Sequence, residues 1–132
     1  MANISTYGAN ALLAYMLLGS TNATKANGVG LSLGSPTSVS ASEIASGTGV
    51  VRSTFVGSSV NPNTYVNSNA ITYGPVNAAG SYSGIVIQDS LPASYTANQG
   101  NNLLGGLLAT ARTVGSGDQL VLAASALSIT MS

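Results

Sequence analysis

The sequence predicts a small, mainly β domain: an antiparallel β-sandwich of the jelly-roll type with one N-terminal helix. A helical period occurs only in the N-terminal segment, whereas apolar residues alternating with small polar ones recur through the rest. Segments rich in Gly, Ser and Asn separate these stretches and contain all four prolines. No repeat or linker divides the 132 residues. We therefore expect a single domain over 1–132, with the helix at about 6–18 and the sandwich at about 28–132.

The predicted helix has an apolar stripe along one face. Its members recur at i, i+3, i+4, i+7 and i+8: Ala9, Leu12, Leu13, Met16 and Leu17. Ser5 or Thr6 can cap the first turn, and Gly19 is suited to end the last one. We expect the stripe to cover one end of the sheet. If it does, Leu13→Asp should cost several kcal/mol, because it places an unpaired charge in the core.

Strands are predicted wherever apolar and small polar residues alternate. The segments are 29–33, 50–56, 70–73, 82–87, 103–113 and 120–131. The sequence Val-Gly-Ser-Gly-Asp at 114–118 predicts a hairpin turn between the last two strands. The intervening segments are expected to be long loops, which are more often interaction surfaces than simple connectors. These loops are 34–49, 57–69, 74–81 and 90–102.

Charged residues are almost absent. They make up 5% of the chain, whereas a soluble domain typically has about 25%. The six are scattered singly: Lys25, Glu43, Arg52, Asp89, Arg112 and Asp118. Without a basic patch, neither nucleic acid nor an anionic membrane surface is expected as a partner. A net charge near zero favours association, so we expect a protein that works in an assembly, partly with copies of itself.

The side chains that usually carry catalysis are missing. The chain has no His and no Cys, which removes the commonest general base, metal ligand and activated nucleophile. Lys25 is the only lysine, and the three acidic residues are too dispersed to predict a carboxylate pair or a calcium site. We therefore expect no enzymatic activity, no metal and no cofactor.

Two tyrosines in the predicted loops are candidates for partner contact. Tyr65 and Tyr95 are flanked by small polar residues, which is typical of adaptable contact surfaces. Asn61 and Asn63, close to Tyr65, complete the candidate set. An equally good interpretation is that each tyrosine anchors its own loop to the sandwich.

The apolar N-terminal run has no basic residue before it, so we expect synthesis in the cytosol without an export signal.

Short motifs follow one another in a recognisable order along nearly the whole chain. They are ANISTYG at 2–8, ALLAYMLL at 11–18, VGLSL at 29–33, NAITYG at 69–74, GIVIQD at 84–89, NLLG at 102–105, RTVGSGD at 112–118 and ALSIT at 126–130. This order resembles a family of small virion proteins of tailed bacteriophages. Members are often labelled tail-fibre proteins, and they are similar in size and class to head decoration (cement) proteins. The segment at 53–69, with Asn61-Pro62-Asn63, departs from the family pattern.

The resemblance implies a structural protein of the virion, assembled in the host cytoplasm from many copies. It favours a capsid decoration protein that binds the outer face of the major capsid protein as a dimer or trimer and stabilises the shell. The alternative is a tail, fibre or baseplate component that contacts the host. A third hypothesis is a soluble sugar-binding or enzymatic domain, which would be stabilised by its ligand.

Overall fold

The computed structural model describes residues 3–18, 28–33, 49–89 and 100–130. These residues contain one helix, α1 (Thr6–Leu18), at the predicted position. Their strands are β1 (Asn3–Ile4), β2 (Gly28–Ser32), β3 (Ser53–Thr54), β4 (Gly57–Asn61), β5 (Thr64–Asn67), β6 (Ile71–Tyr73), β7 (Gly80–Gln88), β8 (Asn102–Val114), β9 (Leu120–Leu122) and β10 (Ser128–Thr130). The prediction of a mainly β fold with one N-terminal helix is confirmed. Gly19, Tyr95 and most of the predicted loops at 34–49 and 90–102 lie outside the described residues.

The largest sheet has five strands in the order β1-β8-β7-β2-β3. All of its pairs are antiparallel, and β7 is its centre, pairing with β2 on one side and with most of β8 on the other. β2 was predicted to be half-buried, but every residue from Gly28 to Ser32 is buried. The prediction was wrong because Gly and Ser are small enough to fit a closely packed face and therefore do not identify a solvent-facing one.

The C-terminal strands do not form the predicted hairpin with each other. β9 pairs with β6 in a two-stranded sheet, and β10 pairs with β5 in the three-stranded sheet β10-β5-β4. The turn itself is present: the Gly115 amide donates to the Asp118 side chain at 3.1 Å, and Gly117 has a φ of +88°. It is also bonded to Val76, whose amide donates to the Asp118 carbonyl at 3.0 Å. The turn thus directs the chain towards a different sheet.

A hairpin replaces part of the predicted loop at 57–69. β4 and β5 pair as antiparallel neighbours, with Asn61 opposite Thr64 and Pro62-Asn63 as the connection. All five residues of β4 are exposed, and its sequence, Gly-Ser-Ser-Val-Asn, contains one apolar side chain. It therefore lacks the alternation of apolar and polar residues by which strands are recognised. The predicted strand at 50–56 contributes only the two residues of β3.

The hydrophobic core lies between the five-stranded sheet and the smaller sheets. Its buried residues come from β2, β6, β7, the end of β8 and the segments just before β3 and after β6: Val29, Leu31, Val50, Ile71, Tyr73, Val76, Tyr82, Ile85, Ile87 and Val114. The Tyr73 hydroxyl donates to the Val29 carbonyl at 3.1 Å. This bond satisfies a buried polar group and ties β6 to the large sheet.

Asn67, at the end of β5, joins the three-stranded sheet to the segment that connects β9 with β10. Its side chain is fully buried, and its Nδ2 donates to the carbonyls of Asn69 and Ala123, both at 2.8 Å. Its Oδ1 accepts from the Leu127 amide at 2.8 Å, and its carbonyl accepts from the Ser125 amide at 2.8 Å. The Asn67 side chain therefore makes three hydrogen bonds to backbone groups in two segments.

Candidate assembly surface

The first turn of α1 is fixed to β8. The Ser5 hydroxyl accepts from the Gly8 amide at 2.9 Å, so Ser5 is the N-cap, and it also donates to the Asn102 carbonyl. The Ser5 amide donates to the Leu103 carbonyl at 2.9 Å. Gly8 lies so close to β8 that a Cβ atom added there would be 2.5 Å from the same carbonyl oxygen. These contacts set the direction in which the helix leaves the sheet.

Gly8→Ala should loosen this attachment. The new methyl group would overlap a backbone oxygen, and overpacking of this kind typically costs about 1–3 kcal/mol. Alanine favours a helix over glycine by about 1 kcal/mol, so we expect a net loss of about 1 kcal/mol in urea unfolding. Asn10→Ala, at an exposed position of the same helix, is the control and should cost nothing. A Gly8→Ala protein as stable as the Asn10→Ala protein would show that the helix is not packed so closely.

The second half of α1 is exposed, contrary to the prediction that its stripe covers the sheet. Exposure rises along the helix from 37% at Leu12 to 82% at Leu18. The apolar side chains that are open to solvent are Leu12, Leu13, Met16, Leu17 and Leu18. The helix carries no charged residue. The position of the helix was predicted correctly, but its apolar residues are not confined to one face, and the described residues of a single copy leave these side chains partly or largely uncovered.

An apolar groove of about 320 Å³ opens beside β8. It lies between β7 and β8 on one side and β9, β10 and their connection on the other. Its lining residues are Ile85, Ile87, Leu104, Gly105, Gly106, Leu107, Leu108, Ala109, Leu122, Ala126, Leu127, Ser128 and Ile129. None of them is charged, and Leu107 and Ala109 are exposed.

The strand that forms one wall of the groove is only partly paired. β8 spans thirteen residues, but β1 pairs with just two of them, Leu104 and Gly105. On the other side its register with β7 jumps from Tyr82–Arg112 to Gly84–Leu107. Among the described strands, none pairs with residues 108–111. An apolar, incompletely paired strand of this kind is a surface on which another chain can associate.

One of the predicted contact residues, Tyr65, lies beside the groove. Tyr65 is half exposed, not in a loop but on β5, directly opposite Ile129 of β10. Side chains that are opposite in an antiparallel pair share a face, so Tyr65 lies near the groove that Ile129 lines. Asn61 and Asn63 are exposed at the hairpin turn, where the Asn63 amide donates to Asn61 Oδ1 at 3.3 Å. Tyr95 lies outside the described residues.

The groove was not predicted from the sequence. Its signal was the pair Gly105-Gly106 between two Leu-Leu pairs inside a strand. Glycine inside a strand often marks an irregular register or a site that another chain approaches closely. The pair was interpreted only as part of a strand.

The described residues were also searched for a metal site and for a membrane-spanning helix. Among them, no three His, Cys, Asp or Glu residues form a group that could hold a metal ion. Their helix is not long and apolar enough to cross a membrane. Asp89 accepts from the backbone amide and the side-chain amide of Asn101, both at 2.8 Å. This acidic side chain therefore serves to join the ends of the segment between β7 and β8.

Comparison with known families identifies the chain. Residues 3–130 match the sequence model of a family described as Podophage GP4 fiber I protein gp80. The chain belongs to this family. Membership confirms the predicted resemblance to bacteriophage virion proteins and supports a structural role in the virion, without pointing to decoration proteins in particular. A comparison with curated proteins gave no significant match.

Proposed function

We propose that this chain is a subunit of a virion fibre and is held in it by apolar contacts between subunits. The observation that carries the proposal is the family match, which covers nearly the whole chain and names a fibre protein. The exposed half of α1 supports it, because a helix that is apolar and uncharged is normally buried in a larger structure. No catalytic role is included, since the chain has neither His nor Cys.

The exposed apolar side chains of α1 are too few to hold two subunits together by themselves. The five open side chains of α1 equal about three fully exposed ones, and burying them would contribute about 5–9 kcal/mol. Association costs about 4–15 kcal/mol in lost freedom of motion, so the helix alone only approximately offsets it. A stable contact therefore needs additional apolar area, and the groove beside β8 is of the required kind.

A capsid decoration protein is the second candidate. It is favoured by the β4–β5 hairpin, in which every residue of β4 is exposed and none is charged. With Tyr65 exposed on its second strand and Asn61 and Asn63 at its tip, this hairpin is suited to lie on a flat protein surface such as the outer face of the major capsid protein. In that role the subunit would stabilise the shell through many repeated contacts.

The number of copies per particle separates the two candidates. Purified particles would be digested, and this chain would be quantified by mass spectrometry against the major capsid protein. A ratio of a few per cent or less is expected for a fibre. A ratio near one, or a simple fraction such as one-third, would instead support decoration of the shell. Complete absence from the particles would contradict both proposals.

A further inference from the structure

We infer that the second half of α1 from one copy lies in the apolar groove beside β8 of a second copy. The inference rests on the proposed function, in which the chain works as many copies. It deepens that proposal by naming the two surfaces that meet and by identifying the partner as the chain itself.

The helix has the properties of a segment that inserts into a groove. Its thirteen residues are about 20 Å long at 1.5 Å per residue, and the hydrogen bonds to its own β8 described above come from its N-cap, Ser5. Leu13, Met16 and Leu17 are spaced at i, i+3 and i+4, which is the anchor spacing of helices bound in hydrophobic grooves. All three are more than half exposed.

The groove has the size and chemistry to receive such anchors. A dry apolar cavity of about 150 Å³ accommodates a benzene-sized group, so about 320 Å³ has room for roughly two large aliphatic side chains. Its walls present Leu104, Leu108 and Leu127 without a charged group. The exposed Leu107 at its margin extends the apolar surface beyond the groove.

A second copy is the occupant that these observations favour. No residue of α1 is among the lining residues, so within the described part of one copy the helix does not cover the groove. Both are uncharged, and so neither requires a partner of opposite charge. If α1 of one copy lay in the groove of another, the helix and the groove would cover each other. In a symmetric dimer this contact would form twice, which raises the buried area towards the roughly 800 Å² per partner of a stable interface.

Disulfide trapping can test this contact directly, because the natural chain has no Cys. Leu17→Cys and Ala109→Cys would be made as separate full-length proteins, mixed in equal amounts and oxidised. We expect the disulfide between position 17 and position 109 to exceed either disulfide between identical chains several-fold, as identified by mass spectrometry of the linked peptides. Ser116→Cys, on an exposed turn outside the groove, is the control and should not link to Leu17→Cys above background.

Two results would overturn the inference. Dominant linkage between two copies of Leu17→Cys would show that the helices pack against one another instead. A monomeric mass by light scattering at micromolar concentration, together with flotation on phosphatidylcholine vesicles, would show that the helix binds lipid rather than another copy. Either result would leave a fibre-level copy number in particles unaffected. The failure of this contact is therefore distinguishable from the failure of the proposed function.

Discussion

Asn67→Ala should destabilise the protein by about 3–5 kcal/mol, the largest loss of stability that we expect from a single substitution outside the apolar core. The side chain is fully buried and makes three hydrogen bonds of 2.8 Å, to Asn69, Ala123 and Leu127. Its removal leaves each of these backbone groups without that partner, at a cost of about 1–3 kcal/mol each. Because a domain is typically stable by only about 5–15 kcal/mol, urea unfolding should show a clearly lower midpoint.

Asn61→Ala is the matched control for this prediction. Asn61 is the same residue type, lies on the neighbouring strand β4 and is exposed, and its Oδ1 accepts only a 3.3 Å bond from the Asn63 amide. Its replacement should change the free energy of unfolding by about 0.5 kcal/mol or less. Equal losses in the two variants would mean that Asn67 does not join β5 to the segment between β9 and β10.

The sequence predicted the elements that have a strong local signal. The helix was located correctly because its run of apolar residues and its Ser5 cap are both local signals. The segment at 82–87 was recognised as a strand from its alternation, and it forms the central part of β7. The β4–β5 hairpin was missed because its Gly, Ser and Asn residues are typical of loops and every residue of β4 is exposed. In that hairpin the strand is formed by pairing and not by burial of an apolar face.

Strand partners were harder to predict than strands. A turn at 114–118 was predicted and is present, but it was taken to pair the strands on its two sides. β8 instead pairs with β7 and β1, and β9 pairs with β6. Turn residues determine where the chain reverses, whereas the partner of each strand depends on contacts between distant segments. The same limitation hid Asn67, whose three bonding partners give no local pattern.

The surface that covers an apolar helix was also hard to predict from the sequence. An apolar stripe predicts that one face of a helix will be buried, but it does not state in which chain the covering surface lies. The apolar residues of α1 were expected to pack on the chain's own sheet, and the structure shows them exposed. Tyr65 was identified as a contact residue from its polar neighbours, and it lies next to the groove through its pairing with Ile129. That it makes such a contact stays a prediction.

Leu17→Asp should prevent incorporation of the subunit into particles while leaving its own fold intact. Leu17 is 74% exposed, so the isolated subunit should lose about 1 kcal/mol or less in urea unfolding. In the assembled state the carboxylate would be buried in an apolar contact without a partner, a change that typically costs several kcal/mol. Each 1.4 kcal/mol lowers the binding affinity tenfold. The number of particle-bound copies, measured by quantitative mass spectrometry, should therefore fall by more than tenfold.

The control for Leu17→Asp places the same charge at the other end of the same helix. Thr6 is exposed in the first turn, where an acidic side chain interacts favourably with the helix dipole, so Thr6→Asp should fold and assemble normally. Normal incorporation of both variants would show that the exposed half of α1 is not an assembly contact. A loss of several kcal/mol in the isolated Leu17→Asp subunit would restore the original prediction that the stripe belongs to the core. Loss of incorporation without loss of stability would place the missing surface in another chain, which a single copy cannot reveal.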